Sequence, residues 1–120
     1  MTIAYDSFPL VCDGAGAATV VSTKPMDGLL QRITITIGTL AAGAVDFVIT
    51  DTQSGAAIMT VANMPASTSY CPCAPAVTVA NAANAITDSY VPIPITGTIT
   101  VVVAGGGAGG AGTLHYWVQR

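Results

Sequence analysis

The chain has 120 residues and a net charge of −3, carried by Lys24, Arg32, Arg120 and six aspartates, so only 8% of its positions are charged. That length accommodates one domain with a core of its own, and three scattered cations offer a phosphate backbone almost nothing, which excludes nucleic-acid binding as a function class. No run approaches the roughly 20 apolar residues of a membrane helix, so no membrane partner is expected.

Val, Ile and Thr fill 39 positions and Glu is absent. β-branched side chains suit a pleated strand, and without Glu and with one Lys an amphipathic helix can hardly be written. Ala-rich stretches do not change this, because they are mixed with Gly, Pro and Asn as in Gly14-Ala15-Gly16 and Asn81-Ala82-Ala83-Asn84. The start, Met1 to Ser7, lacks a basic segment followed by an apolar run, and no signal peptide is expected. Cys12, Cys71 and Cys73 are odd in number and the last two are too close for an easy disulfide, which suits free thiols in a reducing cytosol.

Taken in chain order, residues 1–17 read as an extended N-terminal arm, with Phe8-Pro9-Leu10-Val11 able to pair at a sheet edge, and residues 18–120 as the folded domain. Thr19–Thr23 is a short strand stopped by the Lys24–Gly28 turn cluster. Leu29–Ile37 alternates clearly, with Leu29, Ile33, Ile35 and Ile37 on one face and Arg32, Thr34 and Thr36 on the other. Val45–Asp51 follows after a Gly-bounded turn, with Val45, Phe47 and Ile49 inward, and the two runs predict a hairpin. Ala56–Ala62 is the next strand, with Ile58 or Met59 in the core. From Asn63 to Ser89 the signal weakens: Pro65, Pro72 and Pro75 argue against a central strand, Val77–Val79 predicts a short strand, and Asn81–Asp88 a loop or one helical turn. Tyr90–Ile95 alternates around two prolines and predicts an edge strand. Thr98–Val103 and Leu114–Val118 flank the nine Gly and Ala residues 104–112, so the last two strands predict a long hairpin with a mobile or docking tip. Seven to nine short strands predict an all-β, single-domain antiparallel β-sandwich or jelly-roll-like barrel.

No catalytic, cofactor or metal site emerges from these residues. Gly105–Gly110 is glycine-rich but runs into a strand and lacks the Lys of a phosphate loop. Cys71-Pro72-Cys73, with His115 or Cys12, has the wrong spacing for zinc. His115 with Asp46 and a serine would make a triad, but no nucleophile elbow accompanies them. Asp46, Asp51 and Asp88 match no calcium pattern; Asp51–Gly55 reads as an Asx-type turn, and Arg32 is expected to meet an aspartate across strands. Tyr116 and Trp117 would form a sugar platform, which keeps a saccharide- or host-receptor-binding module as the alternative function. An enzyme is not expected.

The runs Leu29-Leu30-Gln31-Arg32-Ile33-Thr34-Ile35, Val45-Asp46-Phe47-Val48-Ile49-Thr50-Asp51 and Ser54-Gly55-Ala56-Ala57-Ile58, with the ending Val91-Pro92-Ile93-Pro94-Ile95-Thr96-Gly97-Thr98-Ile99-Thr100-Val101-Val102-Val103, resemble small proteins of tailed-phage head gene clusters. They are similar to capsid decoration (cement) and minor capsid proteins. The resemblance implies a β-sandwich or barrel on the virion exterior, a trimer or dimer made in the host cytoplasm, that bridges subunits of the major capsid protein lattice. A low-charge surface with an arm and a Gly/Ala tip fits such a task, and Phe8, Leu10, Val11, Gly106, Gly109 and Trp117 are the expected partner contacts.

Overall fold

A computed structural model describes residues 2–77 and 85–120. The described chain is all-β, with eleven strands and two packed antiparallel sheets in a sandwich-like arrangement. The first sheet runs β1 (Ile3–Val11), β11 (Ala111–Gln119), β3 (Met26–Thr36), β6 (Thr68–Tyr70), with β9 (Pro94–Gly97) pairing the start of β3. The second runs β2 (Ala18–Val21), β10 (Ile99–Ala104), β4 (Asp46–Asp51), β5 (Ala57–Val61). β7 (Cys73–Val77) and β8 (Ala85–Pro92) form a separate two-stranded ribbon. Asp88 therefore lies in a strand and not in a loop, while the expectations for residues 78–84 fall outside the described residues.

Period-2 alternation fills the space between the sheets. Ile33, Ile35, Leu114, Tyr116 and Val118 from one sheet face Phe47, Ile49, Ile99 and Val101 from the other, all of them fully buried. Burying such side chains is worth roughly 1.5–3 kcal/mol each, which is what holds two sheets of mostly short strands together. The predicted phase of β3 fails at its start: Leu30 is buried and Leu29 exposed. The cause is a bulge. Trp117 pairs with Arg32 but Val118 pairs with Leu30, so Gln31 is an extra residue that turns everything before it to the opposite face.

Three expectations are corrected. Residues 1–17 are not set apart from the domain: Phe8–Val11 pairs at a sheet edge as expected, but it does so in this chain's own first sheet, where β1 runs beside β11 from Ile3 to Val11 and Phe8 and Leu10 lie in the core. Neither predicted hairpin forms, because β3 and β4, and likewise β10 and β11, sit in different sheets. The Gly/Ala segment is thus a crossover between sheets, and it is tied down. Gly106 N–H donates to Gly16 O at 2.9 Å, Ala41 N–H to Gly106 O at 2.9 Å, Gly109 N–H to Asp13 O at 3.0 Å and Cys12 N–H to Gly110 O at 2.8 Å. These bonds bring loops 12–17, 37–44 and 105–110 into one backbone-knitted end.

Glycine is required there for closeness. A Cβ on Gly106 would sit 2.6 Å from Cys12 Sγ and 3.1 Å from a Leu40 methyl. Gly106→Val should therefore cost about 3 kcal/mol through overpacking, read as a lower urea midpoint. In Gly106→Ala, adding Cys12→Ala removes the sulfur that the new methyl strikes and should recover part of the loss. Equal midpoints for the single and double variants would show that this contact is not the constraint.

Candidate functional site

The densest group of chemically capable side chains stands on the outer face of the first sheet. Strand alternation puts it there: with Ala4, Phe8, Leu114, Tyr116 and Ile33 turned inward, Tyr5, His115, Trp117, Arg32 and Thr34 turn out. Register then lines them up across three strands. Tyr5 pairs with Trp117 and Trp117 with Arg32; Ser7 pairs with His115 and His115 with Thr34.

Trp117 is the centre of the cluster. The Tyr5 ring lies 5.2 Å from it on one side at a 43° tilt, and Arg32 Cζ lies 5.6 Å from its centroid on the other. The His115 ring stacks at 6.5 Å from Trp117 and 6.1 Å from Tyr5. Tyr5 Oη and His115 Nδ1 share a hydrogen bond of 2.8 Å, and Thr34 and Ser69 hydroxyls share another of 2.8 Å. Gln31 Nε2 donates to Gln119 Oε1 at 2.7 Å. An open cleft of about 320 Å³ adjoins this row, lined by Ile3, Gln31, Arg32, Cys71 and Trp117. Cross-strand aromatic and cation–π contacts hold these side chains in place before any ligand arrives.

The other sequence candidates go elsewhere. Tyr116 cannot share a platform with Trp117, because successive strand residues face opposite ways and Tyr116 is fully buried. Burial, seconded by the nearby Asp6 charge, pushes its phenol up, so it stays a neutral donor toward Lys24 O at 3.4 Å. Arg32 was expected to meet an aspartate and instead rests on Trp117. Asp46 lies in the second sheet, accepting a bond from Asn63 N–H at 2.8 Å, and does not join His115. Cys12 is buried against Gly106; burial and the neighbouring Asp13 raise its thiol, which keeps it protonated. Cys71 and Cys73 are exposed free thiols, and among the described residues no three His, Cys, Asp or Glu side chains gather as metal ligands.

Of the expected partner contacts, Phe8 and Leu10 are core residues and Gly106 is enclosed in the knitted end, so none of the three is accessible. Val11 is 59% exposed, Gly109 is exposed, and Trp117 is half-buried within the aromatic row. Tyr5 and Gln31 were not singled out by sequence, and Cys71 was weighed only as a zinc ligand; the period-2 run Ile3, Tyr5, Ser7 opposite Gln119, Trp117, His115 is the signal that carries Tyr5.

A second surface stands out by what it lacks. On the outer face of the four-stranded sheet, Thr19, Val21, Val48, Thr50, Thr60, Thr100 and Val102 form a continuous Thr/Val field, with Val21, Val48 and Val102 exposed by 46%, 39% and 41%. Asp46, at one end, is the single ionisable group at the outward positions of these strands.

No family model matches the chain, and no curated protein matches it in sequence. Among solved structures, the crystal structure of FlhE is similar over 100% of both chains, with a TM-score of 0.50 and 8% sequence identity. At that identity the likeness is one of fold alone: this chain shares its all-β sandwich-like architecture with FlhE.

Proposed function

We propose that this protein is a structural virion component that binds the outside of an assembled tailed-phage capsid and stabilises it by bridging neighbouring subunits, acting as a homo-oligomer. The observation that carries this reading is the Thr/Val face of the second sheet. A β surface with one terminal charge can be covered by another protein without stripping water from ions, a cost that a normally charged surface would impose. The chain as a whole is sparsely charged, as a protein with much covered surface would be. Binding assembled shells in preference to free subunits would stabilise the shell by mass action.

Cosedimentation with assembled tailed-phage shells, against unassembled capsid protein as control, tests this. The expected result is saturable binding to shells only, lost by at least about tenfold in Val48→Asp and in Val102→Asp, whose charge would be buried unpaired on docking. The two residues pair across β4 and β10, where two aspartates would repel, so each is made singly; the outward position leaves the core intact, and a cooperative urea transition checks that each variant is folded. Absence of binding to any assembled shell would overturn the reading; binding that survives both aspartates would remove this face as its basis.

A further inference from the structure

We infer that the cleft beside Trp117 is a binding site for an acidic saccharide, a sugar carrying a carboxylate next to ring hydroxyls; this does not rest on the capsid reading, which uses the opposite sheet. The cleft, at about 320 Å³, lies at the small end of ligand sites, which run roughly from 300 to 1,000 Å³. Its wall chemistry divides into three parts that together fit one ligand class.

The first part is Arg32. Its guanidinium lies against the Trp117 ring, 5.6 Å from the centroid. A guanidinium carries five N–H donors, and a carboxylate accepts two of them side by side. The cation–π contact narrows the range of positions the Arg32 side chain takes before a ligand binds. The second part is the Gln31 amide. Gln31, which lines the cleft, donates from Nε2 to Gln119 Oε1 behind it at 2.7 Å, which orients the Gln31 amide and leaves its Oε1 as an acceptor, with Gln119 Nε2 as a donor beyond the wall. A sugar hydroxyl, donor and acceptor in one atom, is the natural complement to such an amide. The third part is apolar: Ile3, 51% exposed, offers surface to the C–H face of a pyranose, beside the part of Trp117 that lines the cleft.

A neutral sugar would leave the charge of Arg32 unpaired, and a simple carboxylate would leave the amide and the apolar wall unused. The chain's net charge of −3 gives an acidic ligand no long-range attraction, so the affinity should be modest and set locally by Arg32.

Cys71 makes the test direct, because its exposed thiol lines the cleft while Cys73, two residues on, does not. Oligogalacturonate is titrated into the intact protein, and iodoacetamide alkylation of each cysteine is followed by peptide mass spectrometry, with a neutral galactose oligomer and an oligo-aspartate peptide as the other arms. The expected result is saturable protection of Cys71 but not Cys73 by the acidic sugar, at a concentration about tenfold lower than any protection by the neutral one. Arg32→Gln, on the solvent face, should lose that selectivity with an unchanged urea midpoint, and Arg32→Lys should keep part of it. Equal protection by the neutral sugar, none by either sugar, or stronger protection by the peptide would each overturn the assignment, the last in favour of an acidic protein segment.

Discussion

Replacing Asp51 by Asn should cost about 3 kcal/mol at pH 7, and the gap to the parent protein should shrink by about 2 kcal/mol by pH 2. Asp51 is a buried carboxylate, 2% exposed, at the end of β4. Burial alone would raise its pKa. Four hydrogen bonds reverse that: Thr96 N–H at 3.0 Å on one oxygen, and Thr96 hydroxyl at 2.8 Å, Ser54 hydroxyl at 2.7 Å and Ser54 N–H at 3.1 Å on the other. Together they hold it at about 2, against an ordinary 3.8. Thr96 belongs to β9 in the first sheet and Asp51 to β4 in the second, so the carboxylate pins the sheets together at the end opposite the knitted loops. Asn keeps one acceptor but turns an NH2 toward the backbone N–H of Thr96 or of Ser54, which can only donate, so at least one buried N–H loses its partner while the hydroxyls must turn from donating to accepting.

The sign of the pH effect follows from the depressed value. As acid is added, the unfolded chain takes up the proton first, so the contribution of Asp51 is complete above about pH 4 and drains away as the pH falls through about 2. Urea unfolding of the parent and Asp51→Asn at pH 7, 4 and 2 measures it. A gap that stays constant across that range would mean that the charge of Asp51 contributes nothing to the native state.

The strands were legible in the sequence because alternation is a local signal: Ile33-Thr34-Ile35 and Val45 to Ile49 need nothing beyond themselves to declare their inward faces. Which strands pair is not local. Neighbouring strands usually make hairpins, and here Gly38–Ala44 and Gly105–Gly110 carry the chain from one sheet to the other instead, which composition does not distinguish from two turns. The Gln31 bulge was hidden for the same reason, since only its pairing with β11 reveals the extra residue. Asp51 was readable as an Asx turn with Ser54, whereas its grip on Thr96, 45 residues away, was not. The site on the first sheet was half visible: Trp117 and His115 drew notice, but Tyr5 lay in the supposed arm, and Tyr116 drew attention to the wrong face.

That supposed arm supplies the second large effect. Leu10→Ala should destabilise the protein by about 2–5 kcal/mol, and Val11→Ala, one residue on, should stay within about 0.5 kcal/mol. Leu10 is fully buried opposite Gly112, while Val11 is 59% exposed. Their contrast reports on whether β1 is docked on its own sheet. A detached segment would show neither effect, because Leu10 would be as wet as Val11. Removing residues 2–11 should go further and abolish cooperative unfolding: it exposes the edge of β11 over nine residues and opens the core where Phe8 meets Tyr116 edge-on at 6.2 Å. Phe8–Val11 was readable as an edge partner, because an edge tolerates Pro9, whereas the docking of the residues before it was hidden by an inward row Ala4, Asp6, Phe8, Leu10 that begins with a small residue and an acid facing Tyr116. Far-UV circular dichroism melts of the three variants decide it. A truncated chain that still melts cooperatively near the parent temperature would return residues 2–11 to the role of an arm free to reach a neighbour. A truncated chain without a transition, beside a stable Val11→Ala, would confine the contact surface that β1 offers to its outward side chains Ile3, Tyr5 and Val11.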